Sequence, residues 1–411
     1  MAKVHPFKAV RPTRDKISLV ACRSYQSYTQ FERDSRMNYN PFSFLHIINP
    51  GYKYQKEIAG EERYKLVRNR YLEFKEDEIF IKDDTPCYYV YKIVNREQES
   101  FHGIIAATCA EDYKNNIIKK HEDTLQDREH TLKEYLKTVR FNAEPVLLTY
   151  PDNDTIASII TKVCKERAEY EFTTTYKDTH YLWKIDDEKL IADIHEAFSL
   201  IDTIYIADGH HRSASSYLLS QEQKEANPKH KGNEPYNFFM SYLIPESDLK
   251  IYEFNRLIKD LNGLSKEEFL VKLDEWFRIE KRGLEIPKPS KLHHFSMYLD
   301  GEFYSLNLRK TAYEFTNALD ELDAQILYQT VLKPILNIQD LRTDTRIEYL
   351  HGKNDIARIK SMVDSGEFKI GFGLFPASID HVKQIAEEGL TMPPKSTYIE
   401  PKLRSAITIY E

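Results

Sequence analysis

Cysteine is scarce in this chain of 411 residues: Cys22, Cys87, Cys109 and Cys164 make up the whole set. They are widely spaced and form no CxxC pair, which excludes a zinc knuckle and a disulfide framework. Cys87 and Cys109 lie in apolar runs, where a free thiol acts as a small hydrophobe. No cysteine sits beside a basic residue at a helix start, so a thiolate nucleophile has no support. Long apolar runs are missing too. No window approaches the roughly 20 apolar residues that span a bilayer. Residues 1–6 hold no apolar signal core, so the expectation is a cytoplasmic protein without a membrane partner. The common site fingerprints are also absent: there is no GxxxxGK followed by Ser or Thr, no GxGxxG, no GxSxG and no HExxH. Nor is there an excess of positive charge. A net charge of -7 argues against non-specific nucleic-acid binding.

What is present describes a globular protein. Hydrophobic residues are 41% and charged residues 30% of the chain, a balance that permits a large core. The expected fold class is α/β (mixed α+β), in three regions. Residues 1–115 form an N-terminal α+β region, with a helical pattern over 61–76 and an antiparallel pair of runs at 87–94 and 102–108. Residues 116–256 alternate strands and helices: a helix from 125 to about 140, a strand at 145–150, a helix at 156–170, a strand at 181–185 and a helix at 188–200. Residues 257–411 form a C-terminal α+β region. It has a capping box at Ser265 and Glu268, a hairpin turning at Asp300-Gly301, a helix at 322–332 and a final strand at 406–410.

The second region holds the most informative stretch. The apolar run Thr203-Ile204-Tyr205-Ile206-Ala207 stops at Asp208 and Gly209, and His210, His211, Arg212 and Ser213 follow at once. A helix pattern then begins. Strand, polar turn and helix is how a fold presents a charged cluster at a strand end, and the N–H groups of such a helix start favour an anion. The simpler alternative is an N-cap Asp with histidines that satisfy nearby carbonyls. On the site reading, Asp208, His210, His211 and Arg212 hold an anion and its metal, with Asp208 as the metal ligand.

Two further segments join it. His121-Glu122-Asp123-Thr124 opens the helix after it, where carboxylates complement the dipole. Because it falls in the same region as the turn, Glu122 is also a candidate general base, with His121 beside it. Near the C-terminus, Met392-Pro393-Pro394-Lys395-Ser396-Thr397-Tyr398 places a lysine next to two hydroxyls on a proline-stiffened backbone. That suits phosphate contact, and equally an ordinary stiff loop. Asn255 and Arg256, after a strand, are candidate substrate contacts, or else a surface ion pair.

Four of these motifs, in this order, resemble the family called domain of unknown function 1015. They are the opening Val4-His5-Pro6-Phe7-Lys8-Ala9-Val10-Arg11-Pro12, then Lys120-His121-Glu122-Asp123-Thr124, Ile206-Ala207-Asp208-Gly209-His210-His211-Arg212, and Met392-Pro393-Pro394-Lys395-Ser396-Thr397-Tyr398. Where that family usually carries Pro-Pro-Tyr-Asp, this chain has Cys22-Arg23-Ser24-Tyr25. The Asp-Gly-His-His-Arg turn is also similar to the signature of the ParB/sulfiredoxin-like fold, which includes free serine kinases. The resemblance implies such a core at 116–256 and phosphorylation of free serine, or the reverse reaction on phosphoserine. It implies Mg²⁺ and an ATP, ADP or pyrophosphate donor. Glu122 would be the base, and Gly209, His210, His211, Arg212 and Ser213 would bind phosphate, with Lys395, Ser396 and Thr397 in support. A ParB-like nucleotide-binding regulator, or a DNA-associated protein, is the alternative the same resemblance leaves open.

Overall fold

The computed structural model describes residues 1–351 and 356–411, and its mixed α and β architecture agrees with the expected fold class. Contacts divide the chain into two compact units. The first comprises residues 1–119, 124–249 and 401–411, and the second residues 120–123 and 250–400. The three regions read along the sequence are therefore drawn differently here. The 1–115 stretch shares a unit with most of 116–256, while 120–123 belongs with the C-terminal stretch.

The first unit is built on a nine-stranded sheet. Its order is Ile118–Lys119, Ile204–Asp208, Val146–Tyr150, Phe238–Pro245, Ser100–Cys109, Tyr88–Val94, Thr179–Ile185 and Tyr170–Thr173, with Val4–His5 also pairing to Ser100–Cys109. Central strands such as Val146–Tyr150 are buried throughout, as an apolar run with no polar alternation requires. Ile156, Ile159, Ile160 and Val163 from the Asp154–Val163 helix and Ile194, Ala197 and Phe198 from Glu188–Ser199 pack into the same core.

A second cluster in this unit joins Val10, Val20, Tyr71 and Phe141 to Ala406 and Ile409 of the C-terminal segment. The expected strand at 406–410 is instead a set of isolated bridges, Ser405 to Cys22, Ile409 to Val10 and Tyr410 to Asn142. Each residue finds a different neighbour, so no ladder forms. The expected 156–170 helix ends at Val163, because Tyr170–Thr173 is β-prone and pairs with Thr179–Ile185 as a hairpin.

The second unit centres on a six-stranded sheet ordered Phe277–Gly283, Glu302–Leu308, His294–Leu299, Ile370–Gly373, Phe254–Ile258 and Ile347–His351. The predicted capping box and hairpin are both present. The predicted 322–332 helix is α-helical only over Asp323–Leu327, then widens into a π-type turn over Tyr328–Leu332 before Pro334. Tyr398–Glu400 is a short strand paired with Lys250–Tyr252. No described helix is long and apolar enough to cross a membrane.

Candidate functional site

In the first unit the opening motif forms the expected strand, turn and helix: Ile204–Asp208, then Gly209, then His210–Ala226. Two local devices shape it. The register against Val146–Tyr150 slips between Ile206 and Asp208, so Ala207 is a bulge that re-aims the carboxylate after it. Gly209 then adopts φ 103, a left-handed conformation that side chains resist. A Cβ there would also lie 2.8 Å from Nη2 and 2.9 Å from Nε of Arg212. Glycine is required for the backbone angle, and its missing side chain leaves room for the guanidinium.

Arg212 reaches back across this gap. Its Nη2 donates to Asp208 Oδ2 at 3.0 Å, and its Nη1 lies 3.3 Å from Glu144 Oε1. Burial alone would lower its pKa, but Glu144 and Asp208 more than offset this and hold it above the usual arginine value. Lys402, from the 401–411 segment, places its ammonium 3.8 Å from Asp208 Oδ1. The turn is thus a small alternating network of two carboxylates and two cations. Sequence reading found Asp208 and Arg212 in it, missed Glu144, and did not place Lys402 at this turn. Those two lie 64 and 194 positions from Asp208, and nothing local announces them.

The histidines differ in role. His210 is 5% exposed and belongs to the interior. His211 is half-buried, and its Nε2 accepts the backbone N–H of Leu125 at 3.2 Å. Ser213 is fully buried and turns its hydroxyl back to the Gly209 carbonyl at 3.4 Å. Among the described residues no side chain caps the helix and no acidic residue occupies its first turn, so its positive end is left to the backbone.

Asp208 does not fit a protein-held Mg²⁺. Its two oxygens face Arg212 and Lys402, and no group of three or more His, Cys, Asp or Glu side chains suited to a metal occurs among the described residues. Cys22, Cys87 and Cys109 are buried free thiols, and burial pushes the Cys22 thiol up to about 12.

The remaining candidates lie in the second unit. His121 and Glu122 do not open a helix, since Gln126–Val139 starts four residues after Glu122 with Asp127 and Glu129 in its first turn. Lys120–Asp123 is instead a strap tied to the loop before Lys395. The His121 carbonyl accepts from the Met392 N–H at 2.9 Å, and Asp123 Oδ1 accepts from Thr391 Oγ1 at 3.2 Å. Glu122 and the Asp208–Ser213 turn fall in different units, a change that contiguity along the chain hid. His121 is 1% exposed and Glu122 is half-buried.

Lys395 is exposed at a turn with φ 56, and its ammonium lies 5.5 Å from the centre of the Phe254 ring. Ser396 is buried, and its hydroxyl is committed to the Pro393 carbonyl at 2.7 Å, while Thr397 beside it is half-exposed. Asn255 and Arg256 are adjacent in the Phe254–Ile258 strand and both are 1% exposed, so neither forms a surface ion pair. Their side chains leave opposite faces of the sheet. Asn255 Oδ1 accepts from Leu374 N–H at 3.2 Å, and Arg256 lies over Tyr349 at 4.8 Å. A cavity of about 560 Å³ in the first unit, lined by Lys3, His5, Lys8, Lys82 and Lys224 among others, includes none of the sequence-predicted residues.

Comparison with known proteins gives a family and distant structural likenesses. No curated protein matches the chain. Among solved structures it is similar to a free serine kinase in complex with AMP, at 15% identity and a TM-score of 0.34, over 74% of this chain and 92% of that one. SbnI with a C-terminal truncation from Staphylococcus aureus gives 11% identity and a TM-score of 0.39, over 74% and 87%. A conserved hypothetical protein from Pyrococcus furiosus gives 12% identity and a TM-score of 0.32, over 72% and 90%. The family model described as protein of unknown function (DUF1015) matches residues 4–325, more than three quarters of the chain, and on that match the protein belongs to the DUF1015 family.

Proposed function

We propose that the protein is a phosphotransferase acting on the hydroxyl of a small molecule, with free serine or phosphoserine as the substrate pair and a nucleotide or pyrophosphate as donor. The observation that carries this reading is the turn at Asp208–Ser213. A bulge, a left-handed glycine and an uncapped helix start with no acidic first turn aim backbone N–H groups at an anion. Phosphoryl transfer needs mostly positioning and charge neutralisation, which such a turn supplies. On this reading backbone N–H groups at Gly209, His210, His211 and Arg212 hold phosphoryl oxygens, the Arg212 guanidinium and Ser213 shape the turn, and the nine-stranded sheet beneath them is the ParB/sulfiredoxin-like core.

Glu122 is the proposed base. It takes the hydroxyl proton as the serine oxygen bonds to phosphorus and the donor oxygen leaves with the electron pair of the broken bond. His121, buried beside it and tied to Met392 through its carbonyl, is assigned to positioning. No step is routed through a metal, since the oxygens of Asp208 face two cations.

The test is purified protein with serine and ATP, ADP or pyrophosphate, and separately with phosphoserine. Formation of phosphoserine from one donor, or release of phosphate from phosphoserine, is expected. Silence across the whole panel sinks the reading. Glu122→Gln should lower turnover by roughly 10²- to 10⁴-fold, the span for a lost general base, with donor binding unchanged. Undiminished turnover would remove Glu122 from the role.

A further inference from the structure

Arg256 is an unusual arginine. It is among the largest fully buried side chains of the protein, at 1% exposure. Its Nη1 donates to the Phe254 carbonyl and its guanidinium lies over the Tyr349 ring, 4.8 Å from the centroid. Its Nη2 is buried with no hydrogen-bond partner, and no carboxylate among the described residues lies within ion-pair distance. Desolvation lowers it to about 10, with Tyr349 opposing the fall, so it remains a cation at neutral pH. A buried charge without a counter-charge costs several kcal/mol, and natural proteins pair such groups almost without exception.

The neighbourhood is built from side chains on one sheet face. Phe254 and Arg256 are two positions apart and share it, and their register partners His351 and Tyr349 on the adjacent strand share it with them. Lys395 approaches the same Phe254 ring from its exposed turn, also with no described carboxylate within ion-pair distance. Tyr398 stacks on His351 with ring centres 4.6 Å apart. Two cations therefore converge on one aromatic block, and among the described residues neither has an acidic partner.

We propose that Arg256 and Lys395 form a subsite for an oxyanion, the carboxylate or phosphoryl group of a small-molecule ligand, on this face of the six-stranded sheet. Arg256 supplies an unpartnered Nη2 donor in a dry setting, and Lys395 supplies a second charge from its exposed turn. The subsite goes beyond the phosphotransfer reading: it is argued from the second unit alone and rests on Arg256.

The full chain is titrated with inorganic phosphate and, separately, with glycine, by calorimetry and by the ligand-induced rise in Tm. Arg212→Met protein is run alongside, so that phosphate held by the Asp208–Ser213 turn does not carry the signal. One of the two anions should bind. Arg256→Met should abolish that binding, and Lys395→Ala should weaken it roughly three- to tenfold. Binding of neither anion, or wild-type binding by Arg256→Met, overturns the proposal. Should Arg256→Met fail to fold, Arg256→Lys decides: binding at least about tenfold weaker supports a planar-donor site, and unchanged binding overturns it. Dead turnover across the donor panel with an Arg256-dependent titration fails the phosphotransfer reading alone. Intact turnover without that titration fails the subsite alone.

Discussion

Two arginines in this protein stand in opposite electrostatic settings. Arg212, in the first unit, is gripped by Asp208 and Glu144, with Lys402 completing an alternating set. Arg256, in the second, has an aromatic ring and one carbonyl for company and no acid among the described residues. The first guanidinium is a structural member of its turn and helps to fix its shape. The second is unfavourable to bury, and such a group is retained where a ligand supplies the missing charge. The side chain that looks better prepared for an anion on paper, the arginine of the His-His-Arg run, is the one already neutralised.

The largest test of this contrast removes each guanidinium in turn. Arg212→Met leaves Glu144 without its cation and Asp208 with Lys402 alone, and should cost about 2 kcal/mol of stability in urea unfolding, less than breaking a fully buried pair. A loss within error of zero would erase the distinction between the two arginines.

Next in size is a pH effect of opposite sign in the two units. His180 is held near 3 by burial and by Arg404, against an unfolded value of 6.5, so the stability it confers is full above 6.5 and lost as pH falls toward 3. Asp323 is raised to about 7 by burial, although backbone N–H groups of His293 and Phe375 pull it down, so its contribution is full below 3.8 and lost as pH rises through about 7. Going from about pH 7.5 to about pH 5 should weaken protection near His180 and strengthen it near Asp323, by about 2 kcal/mol each. Hydrogen exchange corrected for intrinsic rates reads both, and parallel changes would contradict the assignment.

The smallest expected effect is the most telling. In anion-free buffer Arg256→Met should leave stability within about 1 kcal/mol of wild type or raise it, because an uncompensated buried charge is exchanged for a similar apolar volume. A loss comparable to that of Arg212→Met would make Arg256 a structural residue too.

Local features were legible in the sequence, and long-range ones were not. Ile204–Asp208 followed by the His210–Ala226 helix could be read from an apolar run, a glycine and a change of period. The Ser265 capping box and the Asp300-Gly301 hairpin were legible for the same reason, since each is settled by residues that touch along the chain. The places of Glu144 and Lys402 at the turn were invisible because their partners are distant in sequence. Glu122 reads as part of the first unit because the chain changes unit for only four residues, 120–123, and returns. The opposite faces of Asn255 and Arg256 were, by contrast, available from strand periodicity alone.

The 401–411 segment has a consequence for how the protein is made. Ser405, Ile409 and Tyr410 bridge to Cys22, Val10 and Asn142, and the Glu411 carboxylate meets Tyr71, Lys75 and Lys82. The first unit therefore lacks part of its wall until the whole second unit has left the ribosome. At roughly 5–20 residues per second, some 150 intervening residues impose a wait of about 8–30 s. During that wait the apolar groups around Val10 and Phe141 lack the cover of Ala406 and Ile409. A nascent chain stalled shortly before residue 401 should be the form that chaperones hold longest.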